Sequence, residues 1–193
     1  GLSTAYSKPF EADPSLFEQI QARAATIVAD SSTKHGAPWQ RVCVSSFSAG
    51  YGAVRQILRT PGYFEQIDSI VAADSIYAGL QQADPLRAVN ESNMRDFLRF
   101  ASLAVNSKKT FIVSHSAQRT PYASTTETAD YLLQSLNIAR RVDSTKQMGG
   151  MQQQSDASKG RFHVLGFAGT TGQDHMQHLH NIDQFWNRLR SAD

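Results

Sequence analysis

Four apolar runs, residues 42–44, 67–73, 110–113 and 162–167, alternate along the chain with stretches whose apolar residues recur every three or four positions. A run that is apolar at consecutive positions has no polar face to offer water, so it belongs in a sheet covered on both sides. The intervening stretches supply the cover. Val54, Ile57 and Leu58, then Met94, Phe97, Leu98 and Ala101, then Ala129, Leu132, Leu133 and Leu136, each mark one stripe of a helix. A last stripe runs through Met176, Leu179, Ile182, Phe185, Trp186 and Leu189, and predicts one final helix. Near the N-terminus Asp13-Pro14 offers a cap and a first-turn proline, and predicts a helix over 14–30. Strands in such alternation join by right-handed crossovers, so the expected class is α/β, a parallel sheet with helices on both faces in one domain of residues 1–193.

Composition removes several functions from consideration. Nineteen basic and 17 acidic residues leave a formal charge of +2, too small and too dispersed for a nucleic-acid surface. The pairs Lys108-Lys109 and Arg140-Arg141 read as solvated element ends. No apolar run approaches the ~20 residues of a membrane span. The expected chain is soluble, cytoplasmic or secreted after loss of an N-terminal segment, with the compartment left open. A single cysteine, Cys43, rules out an internal disulfide; its place in an apolar run predicts a buried structural thiol. Residues 143–160 are polar, aperiodic and glycine-bearing, and predict a surface loop. Residues 78–92 form a second long connection, from which Tyr77, Leu80 and Leu86 are placed to line a pocket.

The chemistry begins where the first strand runs into a helix. In Ser46-Phe47-Ser48-Ala49-Gly50 a serine stands between small residues two positions away on either side, the pattern of a sharp strand-to-helix turn that lifts a hydroxyl clear of the backbone. The helix behind it aims free N–H groups at an oxyanion formed beside Ser48. A serine hydroxyl needs a base to become a nucleophile, and the base needs an acid to fix its tautomer.

Together with Gly172-Gln173-Asp174-His175-Met176-Gln177-His178-Leu179, this segment resembles the α/β-hydrolase superfamily from its nucleophile elbow to its C-terminus. The second segment is similar to the family's histidine loop, whose first histidine is usually the base. The departure is Ser46, where many members have glycine. The resemblance implies a serine esterase with Ser48 as nucleophile, His175 as base and the N–H of Ala49 in the oxyanion hole. The position after the third strand, where many members carry the acid, holds no carboxylate. Asp74, at the end of the second strand, occupies the alternative position, with Glu127 and Asp130 as fallbacks. His178 is the competitor to His175, and His115 is placed to line the site. The spacing of His175, His178 and His180 does not match the usual metal motifs, so no metal and no cofactor are expected.

The reading is therefore of a hydrolase that cleaves a small-molecule carboxylic ester, or an amide or thioester, through an acyl-enzyme. An acyltransferase using the same residues and a non-catalytic binding subunit of the same fold are the alternatives. Hydrolases of this kind place several strands before the elbow strand, whereas residues 1–41 read as one loop and one helix. The N-terminal half of the sheet is thus expected to be missing and the nucleophile strand to lie at an open edge. A second chain, cleaved from the same precursor, would carry the missing half and the second oxyanion donor.

Overall fold

The computed structural model describes residues 3–31, 39, 41–81 and 86–190. Helices α1 (Thr4–Ala12) and α2 (Leu16–Ser31) precede strand β1 (Val42–Ser48). Next come α3 (Tyr51–Leu58), α4 (Pro61–Gln66), β2 (Ile67–Ser75), α5 (Glu91–Val105), β3 (Thr110–His115) and α6 (Thr125–Ser135). Four strands then follow without a helix between them: β4 (Arg141–Val142), β5 (Gln147–Met148), β6 (Met151–Lys159) and β7 (Phe162–Phe167). Helices α7 (Gly172–His180) and α8 (Ile182–Arg190) complete the described chain.

The four apolar runs pair in parallel in the order β1-β2-β3-β7. Successive residues of each strand face opposite sides, and both sides are dry. Ile70 and Ala72 of β2, Phe111 and Val113 of β3, and Phe162 and Val164 of β7 join a cluster with α3, α5 and α6. Val71, Ala73, Ile112, Leu165 and Phe167 join Phe185 of α8 on the other side. The result is three layers, helix on sheet on helix. It leaves the carboxyl ends of the parallel strands together along one rim, where chemistry gathers in sheets of this type.

The sheet is larger and more mixed than the four predicted strands. Residues 143–160 were expected as a loop, yet β6 runs antiparallel to β7 and carries β4 and β5 on its other side, which makes seven strands. Alternate residues of β6, Met151, Gln153, Ser155 and Ala157, are buried. Two of the four are polar, so the strand hides its period from a search for apolar alternation. The β6–β7 turn passes through Gly160 at φ 57°, where an added Cβ would lie 2.2 Å from the carbonyl oxygen of Val105. Only glycine fits there on both counts.

Four further expectations are corrected. Part of residues 1–12 forms α1 rather than a loop. The final helix is two helices, broken at Asn181. Lys109 is buried, not solvated: its Nζ donates to the carbonyls of Glu65 and Ile67 at 3.0 and 2.6 Å. Cys43 is exposed, because β1 pairs with β2 on one side and, among the described residues, with no strand on the other. Its outer residues Cys43 and Ser45 face outward beside Trp186, whose indole N–H donates to Ser45 Oγ at 2.8 Å. The edge position of β1 agrees with the expectation from residues 1–41. Among the described residues no helix is long and apolar enough to cross a membrane.

Candidate active site

Ser48, the last residue of β1, has φ 51°. A non-glycine residue in this left-handed region costs roughly 1–2 kcal/mol, so the turn is held by what surrounds it. Gly50 N–H closes the turn onto the carbonyl of Phe47 at 2.9 Å. Ser75 Oγ donates to the carbonyl of Ser48 at 2.9 Å and accepts from Ser46 Oγ at 3.0 Å. Ser46 thus takes part in clamping the turn through the neighbouring strand. The N–H of Ala49 makes no hydrogen bond among the described residues, and it lies at the entrance to α3.

Asp74, the residue before the last of β2, also has left-handed backbone, at φ 39°. Its carboxylate is completely buried and fully engaged. Oδ1 accepts from Ser116 N–H at 2.9 Å and from Thr125 Oγ1 at 2.5 Å, and Oδ2 lies 2.7 Å from His175 Nδ1. Burial alone would push this carboxyl up. The bonds from His175, Thr125 and Ser116 outweigh burial and hold it well below the usual carboxylate range. An ionised carboxylate can only accept, so the His175 proton sits on Nδ1 and Nε2 is left as a base. The imidazole is placed by the first turn of α7, where Thr171 and Asp174 form a capping box. The ring of Phe47 stacks on it.

His178, one turn further along α7, is fully buried behind His175. Its Nδ1 lies 2.8 Å from Ser114 Oγ, which in turn accepts from Asp74 N–H at 3.2 Å. Burial pushes its pKa down, so it stands as a neutral strut. His115 does not line the site. It is buried between Thr126 and Arg140, with Nδ1 2.9 Å from Thr126 Oγ1 and Nε2 2.8 Å from Arg140 Nη1. Arg140, expected in solvent, also pairs with Asp130 and donates to Ser155 Oγ at 3.0 Å. Glu127 pairs with Arg87 at 2.6 Å and caps α6. Neither fallback acid reaches His175. His180 is exposed.

Ser48, Ala49 and His175 line one cavity of about 540 Å³, within the range of small-molecule sites. Its wall includes Tyr51, Tyr77 and Tyr122, whose rings pack in series at 5.7 and 5.4 Å. Tyr77 was anticipated there. Leu80 packs against the core and Leu86 is exposed. Ser3 also reaches the wall, because Gly52 of α3 lets the backbone of Ser3 lie against it. Arg55, Asn93 and Gln118 add polar groups that no spacing in the sequence singled out.

Comparison with protein-family models, with curated proteins and with solved structures gave no match.

Proposed function

We propose that this chain is a serine hydrolase of the α/β-hydrolase type, acting on a small carboxylic ester through an acyl-enzyme. The observation that carries the reading is the 2.7 Å contact between Asp74 and His175 beside a cavity that Ser48 shares. The left-handed backbone of Ser48 supports it as well, since strain of this kind persists where surroundings enforce it. In the proposed reaction Ser48 Oγ attacks the ester carbonyl while His175 Nε2 takes its proton. The tetrahedral oxyanion lies against the Ala49 N–H. His175 then returns the proton to the departing alkoxide, and water, activated by the same nitrogen, releases the acid. An acyltransferase would differ only in admitting an alcohol or amine in place of that water.

The exposed margin of β1 favours a second element in the reading. A strand edge that pairs with no strand among the described residues, beside Trp186, is a template for pairing. A second chain carrying further strands would cover it and bring the other oxyanion donor.

The decisive experiment is labelling with a fluorophosphonate probe, alone and with added ester acceptors. Modification at Ser48 that disappears in Ser48→Ala and in His175→Ala supports the hydrolase. A folded protein whose Ser48 stays unlabelled would overturn it in favour of a non-catalytic binding subunit.

A further inference from the structure

Arg55 lies four residues into α3, about 6 Å along the axis from Tyr51, and lines the same cavity as Ser48 and His175. Among the described residues, no aspartate or glutamate lines that cavity. The acid closest to the chemistry, Asp74, sits behind the imidazole with both oxygens engaged. The guanidinium makes only neutral contacts among the described residues. Its Nη2 donates to the carbonyl of Tyr77 at 2.6 Å, and its carbon lies 4.8 Å from the centre of the Tyr51 ring. Nε is buried with no acceptor. Burial is the main influence on the group and pushes its pKa down, while Asp96 acts on it only weakly. A partly desolvated cation with no anion in contact among the described residues is costly unless a partner supplies the charge.

Resting on the hydrolase reading above, we infer that the cavity selects esters bearing a carboxylate, which the Arg55 guanidinium receives while Ser48 attacks the ester carbonyl. Arg55 and Ala49 line the same cavity of about 540 Å³, a space that suits the half-ester of a short dicarboxylic acid. The tyrosine rings pack against its carbon chain, and the Asn93 and Gln118 amides offer further hydrogen bonds. Arg55 is in this account a specificity residue rather than a participant in bond making.

The test compares methyl hydrogen glutarate with dimethyl glutarate, which share a skeleton and differ in one charge. Methanol release followed by NMR should give the wild-type protein a kcat/KM at least 10-fold higher for the half-ester, and the ratio should shrink as salt is raised. In Arg55→Gln the ratio should fall to one or below, and in Arg55→Lys it should stay above one. A second arm needs no turnover. Calorimetric titration of the Ser48→Ala protein should show the half-ester binding at least 10-fold more tightly than the diester. Equal handling of both esters by wild-type protein in turnover and by Ser48→Ala in binding would overturn the inference, whatever the fate of the Arg55 variants. A charge preference in binding by a protein whose Ser48 stays unlabelled would leave carboxylate recognition by Arg55 standing and end the hydrolase reading. Hydrolysis without a charge preference would do the reverse.

Discussion

The ring of Phe47 lies stacked on the imidazole of His175, with centroids 4.5 Å apart and planes 27° from parallel. The residue before the proposed nucleophile thus holds the face of the proposed base, while Asp74 holds its edge. Such a stack contributes about 1 kcal/mol beyond area burial. Phe47→Ala should slow fluorophosphonate labelling of Ser48 roughly 5- to 10-fold, with the far-ultraviolet circular dichroism unchanged.

His175 and His178 share a face of α7 but have different neighbours, and the two variants should separate. His175→Ala should reduce esterase activity by about 10³-fold or more, as expected for the base of a triad. His178→Phe should leave activity within about 10-fold of wild type. It should instead lower the thermal midpoint, because Ser114 Oγ loses a buried partner worth roughly 1–3 kcal/mol. Paired activity and melting measurements distinguish the roles.

Asp74→Asn should lower kcat by roughly 10³- to 10⁴-fold through loss of the productive tautomer. It should also alter the pH dependence of stability. The folded carboxyl lies below its unfolded value near 4, so its contribution is present above pH ~4 and is lost as pH falls. Urea titrations between pH 6 and 3 should show the wild-type stability falling more steeply than that of the variant.

Burial, with the charge of Arg140 adding to it, pushes the His115 imidazole down to about 4. Arg140 can only donate, so Nε2 accepts and the ring is neutral with its proton on Nδ1. The unfolded histidine takes up a proton near pH 6.5 and the folded one near 4. Stability therefore falls as pH drops between those values, by roughly 3 kcal/mol in all. His115→Gln should flatten this segment of the urea-derived stability curve, whatever it does to the plateau at pH 8.

Gly52 is a packing glycine. An added Cβ would sit 2.4 Å from the carbonyl oxygen of Ser3, which is backbone and has little room to yield. Gly52→Ala should displace α1 and open the cavity wall at a cost of roughly 1–3 kcal/mol. Raised proteolysis near residues 3–12, with a higher KM for small esters, is the expected signature.

Much of this arrangement was legible in the residue pattern because the informative signals are local. The run Val42-Cys43-Val44 identified a strand, and small residues about Ser48 identified its sharp end. The expected α/β class agrees with the structure in part, since the sheet is mixed. The pairing of Asp74 with His175 spans 101 positions and came from the family resemblance rather than from spacing. What stayed hidden had polar chemistry in place of apolar periodicity. Gln153 and Ser155 disguise β6 as a loop. Lys109 buries its stem and finds carbonyls for its ammonium. Arg55 reads as the outer face of an amphipathic helix and becomes a cavity residue only when Tyr77 is brought beside it from the next strand.

Along β1 the amides on one flank are tied to β2, and the opposite flank has no such ties among the described residues. A strand so placed opens by local fluctuation more readily than its interior neighbours. The hydroxyl at its tip therefore inherits the restlessness of the border it belongs to. Stiffening that border narrows the wanderings of the Ser48 dihedral, and loosening it lets the bend relax toward ordinary extended backbone. The reactivity proposed for Ser48 would in this way be coupled to the mechanical state of a margin several residues distant, and would rise or fall with whatever comes to rest there.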